Sequence, residues 1–161
     1  MHLETHRLLI RSFEREDIPA YAEIVADPRV TRYLGDGKPY SYEQAAAYVE
    51  DLIARDSTTG ISRYAVLLGD ELIGFCGFKD LGDHIDFGWR YAHRYWGKGY
   101  ATEAARAVLE YGVEILGLSG IVAVAYEANV GSVRVIEKLG FELVAKTADA
   151  RGPILKHGQP R

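Results

Sequence analysis

The chain has 161 residues, 48% of them hydrophobic and 26% charged, which is long enough for one full core and too apolar for a disordered polymer. Its formal charge of −4 and pI of about 5.7 argue against a broad electrostatic grip on nucleic acid. A single cysteine, Cys76, cannot close an internal disulfide. With no signal-peptide pattern and no apolar run of membrane-spanning length, a reducing cytoplasm is the expected location and no membrane partner is expected.

Residues Arg7 to Arg11 read as a first strand, and Asp17 to Ala26, with Pro19 in the first turn, as a helix. Ser41-Tyr42-Glu43-Gln44 is a capping box that starts a second helix running to about Ala54. Arg63 to Leu68 and Leu72 to Phe78 are strands joined by Gly69-Asp70-Glu71, a hairpin signal. Ile85 to Tyr91 alternates Ile85, Phe87, Trp89 and Tyr91 with Asp86, Gly88 and Arg90, the period-two pattern of another strand. Ala101, Ala104, Ala105, Val108, Leu109, Gly112 and Leu116 recur at helical spacing, and Ile121 to Tyr126 is strand-like. A short helix closed by Gly140 follows, then strands over Phe141 to Ala145 and, less securely, Arg151 to His157. No linker, charge block or repeat divides the chain, so one domain over residues 1–161 is expected.

The stretch Arg94-Tyr95-Trp96-Gly97-Lys98-Gly99 joins a strand to a long helix. Glycines allow close backbone approach and positive φ, and a helix N-terminus presents free N–H groups and the positive end of its dipole to an anion. No Walker-type string occurs. A dinucleotide fingerprint would use Gly97 and Gly99 with Glu127 on a ribose, but its third glycine is missing and the strand-to-glycine connection is too long. A helix-opening turn with no ligand is the structural alternative.

Arg94-x-x-Gly97-x-Gly99 followed by Tyr100-Ala101-Thr102-Glu103-Ala104 resembles the coenzyme A pyrophosphate loop of the GNAT (GCN5-related) N-acetyltransferases, [Q/R]-x-x-G-x-[G/A]. Asn129 to Phe141, an asparagine after a strand and a helix ending in Leu139-Gly140-Phe141, resembles that family's second signature. Leu3 to Arg11 and Asp27 to Leu34 resemble the opening of the subgroup typified by ribosomal-protein N-terminal acetyltransferases of the RimJ/RimL kind. The resemblance covers nearly the whole chain in order.

It implies an α/β (α+β) GNAT fold: a mixed, mostly antiparallel sheet of six to seven strands flanked by about four helices. Its fourth and fifth strands would be parallel and splayed, with pantetheine between them. It implies acetyl-CoA as cosubstrate, no metal, and direct transfer to a primary amine by a monomer or homodimer. Backbone near Trp89, Arg90 and Tyr91 would pair with pantetheine and supply an N–H to the thioester carbonyl. The pyrophosphate would rest on N–H groups from Tyr95 to Ala101, with Arg94, Trp96 and Lys98 beside it. Lys98 is equally a solvated lysine, and Trp96 equally a packing residue. Asn129 would cap the short helix and bond the pantetheine arm.

Ser132 or water is the expected general acid for the departing thiolate, because Ile136 stands where many relatives carry a tyrosine; an ordinary first-turn serine is the alternative for Ser132. Asp86, through a water, is the expected base, with His84 on the same face; the alternative is a polar residue on a half-exposed strand. His2, His6, His93 and His157 show no paired metal spacing. Cys76 sits in an apolar strand and lacks an activating neighbour, which favours direct transfer over an acyl-cysteine. The acceptor is expected near a mobile loop from Tyr33 to Tyr42, with Asp36 as a turn residue. Protein N-termini, amino acids, small amines and aminoglycoside-like amines stay open as acceptors. A catalytically silent acyl-CoA-binding regulator and a nucleotide-binding oxidoreductase are the rival functions.

Overall fold

His2–Glu4 (β1) and Leu9–Arg11 (β2) form an antiparallel hairpin with Leu3 opposite Ile10 in the computed structural model, which describes residues 1–160. The first of these strands escapes a periodicity reading because it is three residues long and mostly exposed. A 3-10 turn at Arg15–Asp17 leads into Ile18–Val25 (α1), where Pro19 occupies the first turn. Asp17 is buried, and its carboxylate accepts both terminal nitrogens of Arg11 at 2.8 and 2.9 Å. Pro28–Thr31 (α2) is a single turn capped by Asp27, which accepts the Arg29 N–H.

Tyr42–Thr59 (α3) begins at the expected capping box: the Gln44 N–H donates to Ser41 at 3.2 Å, and the Ser41 N–H to the Gln44 side chain at 2.8 Å. It outruns the expected end at Ala54 because Asp56, Ser57, Thr58 and Thr59 continue it until Gly60, whose N–H caps the Asp56 carbonyl. Ala45, Val49 and Leu52 supply its buried stripe.

Arg63–Leu68 (β3), Glu71–Asp80 (β4) and Ile85–Tyr91 (β5) are antiparallel neighbours. The near-continuous apolar runs of β3 and β4 follow from burial on both faces, while β5 keeps its alternation. Tyr64 and Val66 enter a cluster with Ile73, Cys76, Phe78 and Phe87, while Ala65 and Leu67 enter another with Leu72 and Phe75. Tyr100–Glu114 (α4) covers the first face through Ala104, Ala105 and Val108, and Tyr21, Val25 and Val49 from α1 and α3 cover the second.

Ile121–Tyr126 (β6) runs parallel to β5, Val130–Lys138 (α5) follows, and Glu142–Asp149 (β7) and Gly152–Gly158 (β8) form a hairpin. The strand order is β1-β2-β3-β4-β5-β6-β8-β7, so the last strand is inserted between β6 and β7. The sheet therefore has eight strands rather than six to seven, and the parallel pair is the fifth and sixth. Five helices flank it rather than about four, the addition being the one-turn α2. The hairpin arms extend past the expected Ala145 and His157. β7 is exposed along its whole length, so no buried face marks its end.

Candidate active site

β5 and β6 pair only at Ile85–Ile121 and Asp86–Val122, then diverge. Along a strand, successive backbone groups turn to opposite neighbours. The Ile85 N–H reaches Gly120 on the β6 side, and the Ala92 N–H reaches Ile73 on the β4 side. Trp89 and Tyr91 thus turn their amides into the gap, while the Arg90 backbone turns to Phe75 on β4. The Tyr91 carbonyl takes the Trp96 indole N–H at 2.9 Å. Of the three residues expected to meet pantetheine with their backbone, two present it to the gap.

Next to this gap lies a cavity of about 860 Å³. One end is built from two helix N-termini. Gly97 and Gly99 have φ of +73° and +83°, and Gly99 is the N-cap of α4. Left-handed backbone at these two positions requires glycine. A Cβ on Gly97 would meet nothing within 4 Å, so its outward side is open to a ligand. The Tyr95 and Trp96 N–H groups are already donated, to Ala92 and His93. Those of Gly97, Lys98 and Gly99 have no protein acceptor among the described residues, and those of Tyr100, Ala101 and Thr102 belong to the unsatisfied first turn of α4. The run of free N–H groups therefore starts at Gly97 rather than Tyr95.

The second N-terminus is that of α5. Asn129 caps it through Oδ1, which accepts the Ser132 N–H at 3.4 Å, and this leaves the side-chain amide N–H free. Asn129, Ser132, Arg134 and Lys138 all line the cavity. Ile136 is buried in the core and does not face the cavity. The two cations Arg134 and Lys138, one turn apart on this helix, were missed by motif reading; their spacing on one face was the available signal.

Several expected contacts fall elsewhere. The Arg94 side chain binds Glu71 and lies over Tyr95, outside the cavity wall. Tyr95 also donates to Glu71, and this bond with that from Arg94 holds the Glu71 carboxyl below its ordinary range. The Lys98 side chain is exposed and outside the wall, and its carbonyl accepts from Arg7. Trp96 packs on His93 with ring centroids 4.7 Å apart. Asp86, the expected base, is ion-paired with Arg63 at 2.6 Å and is not part of the wall. Gly88 makes that pair possible, since a Cβ there would stand 2.7 Å from the Arg63 guanidinium. His84 precedes β5 and bonds Asp83. Glu127 faces Lys146 rather than a ribose site. Cys76 is fully buried, and burial pushes its thiol far up.

Sequence reasoning also missed the brace under the glycine turn. Arg7 donates from Nε to Glu103 at 2.7 Å and from Nη1 to the Lys98 carbonyl at 3.0 Å, and it stacks on Tyr100 at 4.4 Å. Glu103 further accepts from the Thr5 hydroxyl at 2.7 Å and the Arg7 N–H at 2.8 Å. Burial works to raise the Glu103 pKa, and these bonds outweigh it to hold the carboxyl below its ordinary value.

The wall is continued by Pro28, Arg29, Val30, Arg32, Tyr33 and Leu34 and by Arg90 and His93. The segment after α2 is bonded to the β7–β8 turn. Arg151 of the β7–β8 turn donates to the carbonyls of Leu34 and Gly35, and Asp36 accepts the Lys38 N–H as a turn residue.

Residues 7–142 match the family model of the acetyltransferase (GNAT) domain. The uncharacterized N-acetyltransferase YnaD of Bacillus subtilis is 39% identical over 145 residues, covering 88% of this chain and 82% of that protein. A GNAT-family acetyltransferase from Bacillus anthracis superposes with a TM-score of 0.85 at 30% identity, over 99% of this chain and 98% of the other. RimL, a ribosomal L7/L12 alpha-N-protein acetyltransferase in complex with coenzyme A, superposes at 0.87 with 15% identity, over 99% and 97%. That last likeness is one of fold.

Proposed function

This chain belongs to the acetyltransferase (GNAT) family, and we propose that it moves an acetyl group from acetyl-CoA directly to a primary amine within a ternary complex. One observation carries the reading: the N-termini of α4 and α5 converge on a cavity beside the point where the parallel strand pair β5–β6 opens. Two positive dipole ends and the free N–H groups from Gly97 to Thr102 suit a pyrophosphate. Arg134 and Lys138 add charge for the remaining phosphate of coenzyme A. The open amides of Trp89 and Tyr91 suit the amide-bearing pantetheine arm as an added half-strand. RimL, which shares the fold, was solved in complex with coenzyme A, and this supports coenzyme A as the ligand class.

In the reaction the amine nitrogen forms a bond to the acetyl carbon and the bond to sulfur breaks, releasing a thiolate. A backbone N–H at Trp89 or Tyr91 stabilises the oxyanion between these events. Ser132, half-buried in the cavity wall and with its hydroxyl unpartnered among the described residues, passes its proton to the thiolate and regains one from water. The ammonium proton passes to water, since Asp86 is engaged by Arg63 and the wall carries no carboxylate. The buried, protonated thiol of Cys76 supports direct transfer.

Release of free thiol from acetyl-CoA over a panel of amines tests the reading, with initial rates varied in both substrates. Intersecting double-reciprocal lines and a melting shift with coenzyme A are the expected results. No thiol release above hydrolysis with any amine, despite a coenzyme A melting shift, would replace the enzyme with a silent acyl-CoA binder. A shift with NADH in place of coenzyme A would overturn the assignment altogether.

A further inference from the structure

The charges at the acceptor end of the cavity carry information about what is acetylated. Among the described residues, no aspartate or glutamate lines the cavity. Its cations fall into two groups: Arg134 and Lys138 on α5 stand at the coenzyme A end, whereas Arg29, Arg32 and Arg90 stand at the other. Arg29 is neutralised by Asp27, with contacts of 2.7 to 3.1 Å. Arg32 has no carboxylate partner, and its guanidinium lies 5.2 Å from the Tyr33 ring centroid.

Arg90 is the more telling group. It projects from β5 into the α1–α3 face, where Nη1 donates to the Tyr21 hydroxyl at 2.6 Å. The guanidinium is otherwise surrounded by the rings of Tyr40, Tyr48 and Phe75, at 5.5, 5.2 and 4.9 Å. Its Nε is buried without a partner, and no bond reaches Nη2. Asp86, on the same face of β5, is held by Arg63. Burial raises the Tyr21 phenol pKa, so its oxygen stays a neutral acceptor and does not balance the charge. A desolvated cation with only neutral partners is costly unless an anion joins it. Arg90 adjoins Trp89, whose amide edges the gap where the thioester is read to lie, so that anion would sit within a few bonds of the reacting amine.

We propose, building on the acetyltransferase reading above, that the acceptor is an amine that also carries a carboxylate, of the amino-acid type, held by Arg90 with Arg32 at the cavity mouth. The carboxylate completes the unused donors of Arg90 as charge-assisted hydrogen bonds. A polyamine, by contrast, brings further ammonium groups to a wall with no carboxylate to receive them.

Thiol release at saturating acetyl-CoA tests this with matched pairs, each amino acid set against its decarboxylated amine. Spermidine forms one further arm, and peptides with an amidated C-terminus and an acidic second residue form another. The expected result is a kcat/KM at least about tenfold higher for the carboxylate-bearing member, expressed mainly in KM. Arg90→Gln and, independently, the surface change Arg32→Gln should each shrink that ratio, by about tenfold for Arg90. Arg90→Gln is checked for folding by circular dichroism, and calorimetry with coenzyme A separates a lost acceptor site from a lost cofactor site. Acidic peptides surpassing free amino acids would locate the same carboxylate chemistry on a chain N-terminus. Equal use of the decarboxylated amines, preference for spermidine, or no acceptor at all despite tight coenzyme A binding would overturn the inference. Absence of both coenzyme A binding and turnover would instead bring down the acetyltransferase reading beneath it.

Discussion

Replacing Gly97 by valine separates the turn's role in binding from its role in folding. Gly97 holds φ of +73° with open space where its Cβ would be, so the change costs the left-handed conformation, about 1–2 kcal/mol, and little packing. For a domain of this length that lowers Tm by roughly 2–8 °C and leaves the chain folded. The added side chain occupies the space in which the pyrophosphate is read to sit. At a coenzyme A concentration of a hundred times Kd, the wild-type chain should gain about 2.7 kcal/mol, or about 5–11 °C in Tm. A hundredfold loss of affinity in Gly97→Val reduces the same gain to about 0.4 kcal/mol, or roughly 1–2 °C. Gly112→Ala provides the opposite signature: its Cβ would stand 2.3 Å from the Phe78 ring, so overpacking lowers the unliganded Tm, by about 1–3 kcal/mol of stability, while the coenzyme A increment persists. Differential scanning fluorimetry with and without ligand reads both quantities. A Gly97→Val protein that kept the full wild-type increment, or the wild-type Kd by calorimetry, would refute the reasoning.

Asp86→Asn should cost stability of about 1–3 kcal/mol through the uncompensated Arg63, yet leave the shape of the pH–rate profile unchanged; a profile whose basic limb shifts would return Asp86 to the chemistry. Cys76→Ala should stay active and give no acetyl adduct by intact mass, because a buried neutral thiol is no nucleophile. Glu103 makes stability depend on acid. Its folded pKa is depressed, so its contribution is present above the unfolded value near 4.5 and is lost as pH falls through the folded value. Urea denaturation should therefore show wild-type stability falling more steeply below about pH 4.5 than that of Glu103→Gln; parallel slopes would remove Glu103 from the linkage. Ser132→Ala should lower kcat by about a hundredfold or less, with no recovery at raised pH, as loss of a thiolate donor requires.

How much of this was legible in the residues depended on the range of the interaction concerned. Elements whose signals are local came out as read: Ser41 and Gln44 cap α3, the alternation from Ile85 to Tyr91 marks all of β5, and the two glycines open α4. Element ends failed where nothing local stops the chain, as at α3, or where no face is buried, as in β7. β1 was missed because its partner, β2, and not its own pattern, makes it a strand. The site divided in the same way. Positive φ at Gly97 and Gly99 and the Asn129 cap are properties of the local backbone, and these residues line the cavity. Side-chain roles turned on partners far along the chain. Asp86 meets Arg63, Arg94 meets Glu71, and Glu103 meets Thr5 and Arg7 across nearly a hundred residues.

That same long range gives the glycine turn the order that the proposed pyrophosphate site requires. A left-handed glycine gives the backbone freedom, which by itself would leave the free N–H groups pointing in many directions at an entropic cost on binding. Here the freedom is removed from outside the turn. Arg7, delivered by the chain leading into β2, fixes the Lys98 carbonyl and the Tyr100 ring while Glu103 holds Arg7 in place. The N-terminal hairpin, one of the least conspicuous parts of the sequence, thereby orders the donors of Gly97 to Ala101 before any phosphate arrives. This accounts for a carboxylate in the first turn of α4 that turns away from the cavity: facing the phosphates it would repel them, whereas facing Arg7 it stabilises the N-terminal dipole and anchors the brace.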